Sequence, residues 1–212
     1  MMNRKGFLLG APVAAAAIGV AHAANEAPPM SGEQALRKLM AGNERYVRGE
    51  LRCDVKLERR AMLAAGQSPV VAILSCSDSR VPVEHVFDQP PGTIFVVRVA
   101  GNVATTEAIA SVEYAVHVLK APLVMAMGHE NCGAVKAALA YKKSGEKLPG
   151  QLQSLVDAIT PAITSAGESL RDATDQNARR SAKLLDDSSL IHNVKIVSAY
   201  FDIASGRVSL LH

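Results

Sequence analysis

Residues 70–82 read VVAILSCSDSRVP. The run from Val70 to Leu74 is continuous, apolar and rich in β-branched side chains. Such a run suits a short strand covered on both faces. It stops just before Cys76, and Asp78 and Arg80 follow at once. A thiol, a carboxylate and a guanidinium at the end of a buried strand read in two ways. They are the polar residues of a turn, or they are a reactive site.

Working outward, the same pattern recurs. TIFVVRVAG (93–101) and APLVMAMGH (121–129) are further apolar runs of this type. Between them, Ala108, Ile109, Val112, Ala115, Val116 and Leu119 fall on one helical stripe. A fourth run, NVKIVSAYFD (193–202), leads through the turn ASG to RVSLL, which predicts a hairpin. Before the first strand, SGEQALRKLMAGNERYVRG (31–49) reads as a helix. Ser31 and Gln34 form its capping box, and Leu36, Leu39 and Met40 its apolar face. A second helix is expected through LERRAMLAAG (57–66), ending near Gly66. Residues 151–190 are polar and helical in pattern, with an interruption at Pro161. Strands alternating with helices predict an α/β fold. Its centre is a mostly parallel sheet flanked by helices, with an N-terminal helical arm and a C-terminal hairpin or edge strand.

The chain of 212 residues is enough for one domain with a sizeable core. Its start has the form of an export signal: MMNRK is basic, GFLLGAPVAAAAIGV apolar, and AHA supplies an A-x-A cleavage pattern ending at Ala23. The expected organisation is a signal over 1–23, a linker over 24–30 and a catalytic domain over 31–212. The apolar run is short for a membrane span and contains Pro12, so no stable membrane association is expected after cleavage. RKGFL is a variant of the twin-arginine export motif, with Lys5 in place of one arginine, so either a general secretory or a twin-arginine route fits. The expected destination is the periplasm. Removing Arg4 and Lys5 from the 23 basic residues leaves 21, against 20 acidic ones. With no basic tract, no Trp and few aromatics, the composition argues against a nucleic-acid partner.

In parallel sheets, sites gather beyond the carboxyl ends of the strands. Three polar clusters sit there: CSDSR after the first strand, RVAGN after the second and GHENCG after the third. The pattern therefore predicts that Cys76, His129 and Cys132 converge. Two thiolates and an imidazole match zinc, and three protein ligands leave a tetrahedral position open, as in catalytic sites. Two other readings stand beside this one: a Cys76–Cys132 disulfide, and a closed structural zinc with Asp78 as fourth ligand.

CSDSRVP, FVVRVAGN, EYAVHVLK, GHENCGAV and VSAYFDIASGRV together resemble the β-class carbonic anhydrases. The resemblance runs in order from about residue 31 to the C-terminus. It implies reversible hydration of carbon dioxide to bicarbonate and a proton, with one zinc per subunit held by Cys76, His129 and Cys132. Asp78 and Arg80 are then the catalytic dyad beside the metal, with Asp78 closing onto zinc in some members. Gln67, Phe95, Ala100 and Tyr114 are then substrate-cleft residues, with Tyr114 reaching the cleft of a neighbouring subunit in a homodimer or tetramer. The same fold also admits hydrolysis of CS2 or COS, or zinc binding without catalysis. Val99 stands where the family often has asparagine, which bears on hydrogen bonding in that loop. Cys53 reads as a spare thiol or an inter-subunit link, His85 and His117 as helix residues, and His192 and His212 as surface residues.

Overall fold

The computed structural model describes residues 30–53, 57–164 and 169–212. The expected signal, and all of the expected linker except Met30, lie outside the described residues. Among these, no helix is long and apolar enough to cross a membrane.

Among the described residues, five strands form one sheet: β1 (Val71–Ser75), β2 (Ile94–Arg98), β3 (Leu123–His129), β4 (Lys195–Phe201) and β5 (Val208–Leu211). Their order is β2-β1-β3-β4-β5. The first four are parallel, and β5 returns antiparallel to β4 through the hairpin expected from ASG. The central strands β1 and β3 are buried along their whole length, as continuous apolar runs require. The run TIFVVRVAG departs from that expectation. It supplies the edge strand β2, where Ile94, Phe95 and Val96 are only half-buried.

Side-chain alternation divides the core. Val71, Ile73, Leu123, Met125 and Met127 face one side of the sheet. Helix α1 (Gly32–Arg48) lies there with Ala35, Leu36 and Leu39, and so does the short helix α3 (Val83–Val86). The capping box of α1 forms as its sequence predicts: Gln34 N–H donates to Ser31 Oγ and Ser31 N–H to Gln34 Oε1. Between α1 and α3 in the chain runs the surface helix α2 (Leu57–Ala65).

Ala72, Leu74 and Val124 face the other side. Helix α4 (Thr106–Glu113) covers them with Ala108 and Val112. The expected helical stripe does not continue as one α-helix. After Glu113 the chain widens into a π turn over Tyr114–Val118, which keeps Ala115, Val116 and Leu119 buried and leaves Tyr114 exposed. Helices α5 (Gly133–Ser144), α6 (Leu152–Ile159) and α7 (Leu170–Asp186) complete the layer, with a 3-10 turn at Thr160–Ala162 marking the interruption expected at Pro161.

The sheet order places the site. From β1 the chain leaves toward β2, and from β3 it leaves the opposite way toward β4. Connections that diverge from two neighbouring strands open a crevice at their carboxyl ends. Cys76 follows β1 and His129 ends β3, so both arrive at that crevice.

Candidate active site

The alternation that sends Ala72 and Leu74 to the α4 face sends Cys76 there too. On β3, His129 is the last strand residue and fully buried. The next two residues turn sharply, with Asn131 in the left-handed region (φ 55°), a conformation Asn tolerates. The turn brings Cys132 back as the residue preceding α5. The Cys76 and Cys132 sulfurs and a His129 ring nitrogen consequently lie within 4.8 Å of one another, and all three residues are buried. The two thiols are not joined to each other.

The surroundings fix the state of each donor. His129 Nδ1 lies 2.8 Å from the Glu130 carbonyl, which holds the ring proton on Nδ1. That leaves His129 Nε2 as a buried lone pair with no hydrogen-bond partner among the described residues. Gly101 N–H donates to Cys76 Sγ at 3.2 Å. The neighbouring Cys132 thiol, His129 and this amide hold the Cys76 thiol far below its ordinary range, against the effect of burial. The hydrogen bond with Cys76 and burial push Cys132 up, and the N–H groups of Val135 and Ala134 oppose the rise. As a pair, the thiols release the first proton easily and the second with difficulty.

Asp78 and Arg80 form a fork beside this centre. Arg80 Nε donates to Asp78 Oδ1 at 2.9 Å and Nη2 to Oδ2 at 2.8 Å, while the Arg80 backbone N–H also donates to Oδ1. These bonds hold the Asp78 carboxyl well below the usual carboxylate range. Its Oδ2 is 3.9 Å from His129 Nε2. Arg98, first residue of the RVAGN cluster, has a part that sequence reading did not assign. From the end of β2 its Nε donates to the Cys76 carbonyl at 3.0 Å and its Nη2 to the Asp78 carbonyl at 2.5 Å. It ties the loop that carries both residues, and its only sequence signal is its place at a strand's carboxyl end.

The expected cleft residues separate into two groups. Ala100 begins the 3-10 turn Ala100–Asn102, next to the Gly101 amide that touches Cys76. Gln67, Phe95 and Tyr114 lie elsewhere. Gln67 precedes β1 and lines a cavity of about 370 Å³ with Lys38, Arg59 and Leu63, at the amino edge of the sheet. Phe95 is paired with Ala72, four residues before Cys76, a strand distance of roughly 13 Å. Tyr114 packs against Phe95, with ring centroids 6.1 Å apart. Cys53 is half-buried, and its N–H donates to Asp88 Oδ1. His85, His117, His192 and His212 are exposed and stand outside the buried cluster.

Comparison with known proteins agrees with this geometry. The family model described as carbonic anhydrase matches residues 71–208. A carbonic anhydrase of Mycolicibacterium smegmatis is 45% identical over 130 residues, which are 61% of this chain and 63% of that protein. The chain thus spans a little under two thirds of the length of the curated relatives it matches. Among solved structures, a tetrameric β-carbonic anhydrase of Sordaria macrospora superposes with a TM-score of 0.64 at 27% identity, over 72% of this chain and 85% of that one. The β-carbonic anhydrase CafA of Aspergillus fumigatus gives 0.65 at 27%, over 73% and 80%. With the match covering the four parallel strands and both sulfur-bearing turns, the chain belongs to the carbonic anhydrase family, in its β class.

Proposed function

We propose that this protein is a zinc-dependent carbonic anhydrase that interconverts carbon dioxide and bicarbonate. The observation that carries the proposal is the buried cluster of Cys76, His129 and Cys132 with the Asp78–Arg80 fork beside it. The donor set fits zinc on its own chemistry. Two sulfurs and an unpartnered imidazole nitrogen converge, and a buried polar atom without a partner is costly unless something binds it. Cys76, His129 and Cys132 would hold the ion, one per subunit, and when bound it would supply Lewis acidity that makes water a stronger acid near neutral pH.

The chain's own residues do the rest. Asp78 stays ionised because Arg80 engages both of its oxygens. Its Oδ2 accepts a hydrogen bond from the reacting water and so orients a lone pair toward the carbon of CO2. Arg80 fixes the carboxylate, and Arg98 fixes the loop beneath it. The apolar side chains around Cys76 and Cys132, among them Val99 and Val103, exclude bulk water and suit a non-polar gas. The proton released by hydration passes to solvent and buffer.

The turn of Asp78 toward Arg80 supports an arrangement in which Asp78 orients water in preference to taking a ligand position. Export to the periplasm, removal of residues 1–23 and assembly as a homodimer or tetramer belong to the same proposal. The test is zinc stoichiometry and CO2 hydration for wild type and Cys76→Ser. One zinc per subunit with activity in wild type, and loss of both in the variant, is expected. Activity that survives without zinc would overturn the reading.

A further inference from the structure

The Gly101 amide reaches Cys76 Sγ from a turn that needs outside support. Gly101 has φ 75° and Asn102 has φ 45°, so two successive residues occupy the left-handed region. That backbone conformation favours glycine at 101, and a Cβ there would also press on Ile159 Cδ1 at 2.7 Å and Ala134 Cβ at 3.1 Å, between α6 and α5. The turn lies against an apolar cluster, where its carbonyl groups need partners. Both partners come from helix α7. Asn177 Nδ2 donates to the Gly101 carbonyl at 2.6 Å, and Ser181 Oγ donates to the Asn102 carbonyl at 2.8 Å. The two residues are four apart, hence on one face of the helix, and they are 1% and 2% exposed. Burying two polar side chains is costly unless their bonds are made, and these bonds are spent on the turn that faces Cys76.

We infer that Asn177 and Ser181 are positioning residues: through the Gly101–Asn102 turn they aim the Gly101 N–H at the Cys76 sulfur and so set that sulfur's donor strength toward the metal. The inference rests on the zinc reading above. An N–H donated to a thiolate withdraws charge from the sulfur and steadies the ligand in one orientation. When the side chain at 177 no longer donates, the Gly101 carbonyl is left without its partner. The 101–102 peptide, whose N–H donates to the Val99 carbonyl, then loses its second anchor; the left-handed backbone at Gly101 relaxes, and the preceding 100–101 amide turns away from the sulfur. Outer-shell bonds of this kind typically alter metal affinity by about 10- to 100-fold when removed.

The test uses the full chain loaded with cobalt for spectroscopy, and with zinc for transfer to a chromophoric chelator. Asn177→Leu keeps a similar shape without the donor, and Ser181→Ala is the milder second variant. The control is Thr174→Val on the same helix, whose hydroxyl donates only to the Leu170 carbonyl within α7. The expected result is a sulfur-to-cobalt charge-transfer band at longer wavelength in both variants. Zinc binding should weaken by about tenfold in Asn177→Leu and less in Ser181→Ala. Thr174→Val should lower thermal stability and leave the band in place. A band unmoved in both Asn177→Leu and Ser181→Ala overturns the inference while the zinc reading stands, as does a band moved equally by Thr174→Val. A wild type with no sulfur-to-cobalt band overturns the zinc reading, and the inference with it.

Discussion

Asp78 and Arg80 are two residues apart and joined by three hydrogen bonds, which makes their chemistry separable from the thiol–imidazole cluster next to them. Neither belongs to the thiol–imidazole set, so Asp78→Asn should leave zinc content at one per subunit. It should nevertheless lower CO2 hydration by about 10²-fold or more, because the amide replaces a carboxylate acceptor at Oδ2 with a group that can present a donor. Normal turnover in that variant would remove Asp78 from the mechanism. Arg80 has a separate signature. The fork depresses the folded-state pKa of Asp78, so its stabilising contribution is present above the unfolded carboxylate value of about 3.9 and disappears as pH falls through the lower folded value. In Arg80→Ala the two guanidinium bonds go while the backbone N–H bond to Oδ1 stays, so the contribution should shrink and be lost at a higher pH, closer to the ordinary carboxylate range. Carboxyl-carbon NMR titration of the zinc-free protein reads this directly: the Asp78 midpoint should move upward in the variant. An unchanged midpoint would mean that another group holds the carboxylate ionised.

At the scale of elements, helix α1 is anchored by one side chain that its periodicity does not reveal. Asn43 lies on the buried face and is 3% exposed. Its Nδ2 donates to the carbonyls of Val86 and Gly206, and its Oδ1 accepts the Val208 N–H. The helix is thereby fastened to α3 and to the β4–β5 hairpin. Asn43→Ala strands three buried backbone groups, so a loss of roughly 2–4 kcal/mol is expected, seen as a Tm lower by several degrees. A loss below 0.5 kcal/mol, the size of an ordinary surface substitution, would show that water replaces these bonds without cost. This residue also marks the limit of what the sequence discloses. The strands were legible because β1, β3 and β4 are carried by apolar runs, and the convergence of Cys76 with His129 followed from their places at the carboxyl ends of parallel strands. Edge position was not legible, since TIFVVRVAG looks as apolar as a central strand. Asn43, Arg98, Asn177 and Ser181 were not legible either. Each bonds a backbone carbonyl between 20 and 163 positions away, and no local pattern encodes such a partner. The π turn escaped because Ala115, Val116 and Leu119 stay apolar whether the helix widens or not.

At the scale of the whole molecule, the sheet itself separates residues that the resemblance assigns to one cleft. Gln67 lies four residues before β1 and Cys76 directly after it, so the five strand residues, roughly 17 Å of strand, separate them. Phe95 and Tyr114 sit part of the way along the exposed β2 edge, where Tyr114 keeps 38% of its surface open. If these residues line a cleft around Cys76, the cleft is one that a second copy brings together. Mixing inactive variants tests this. In a hybrid dimer of Asp78→Asn and Gln67→Ala subunits, one site combines Asp78 from the second subunit with Gln67 from the first and is complete, while the other carries both defects. Provided each variant alone loses most of its activity, random exchange should restore roughly a quarter of the wild-type rate in a two-fold symmetric dimer. If Gln67 instead serves its own chain's site, every site in the mixture carries one defect. Mixing then restores nothing, even when mass spectrometry of the intact assembly shows that subunits have exchanged.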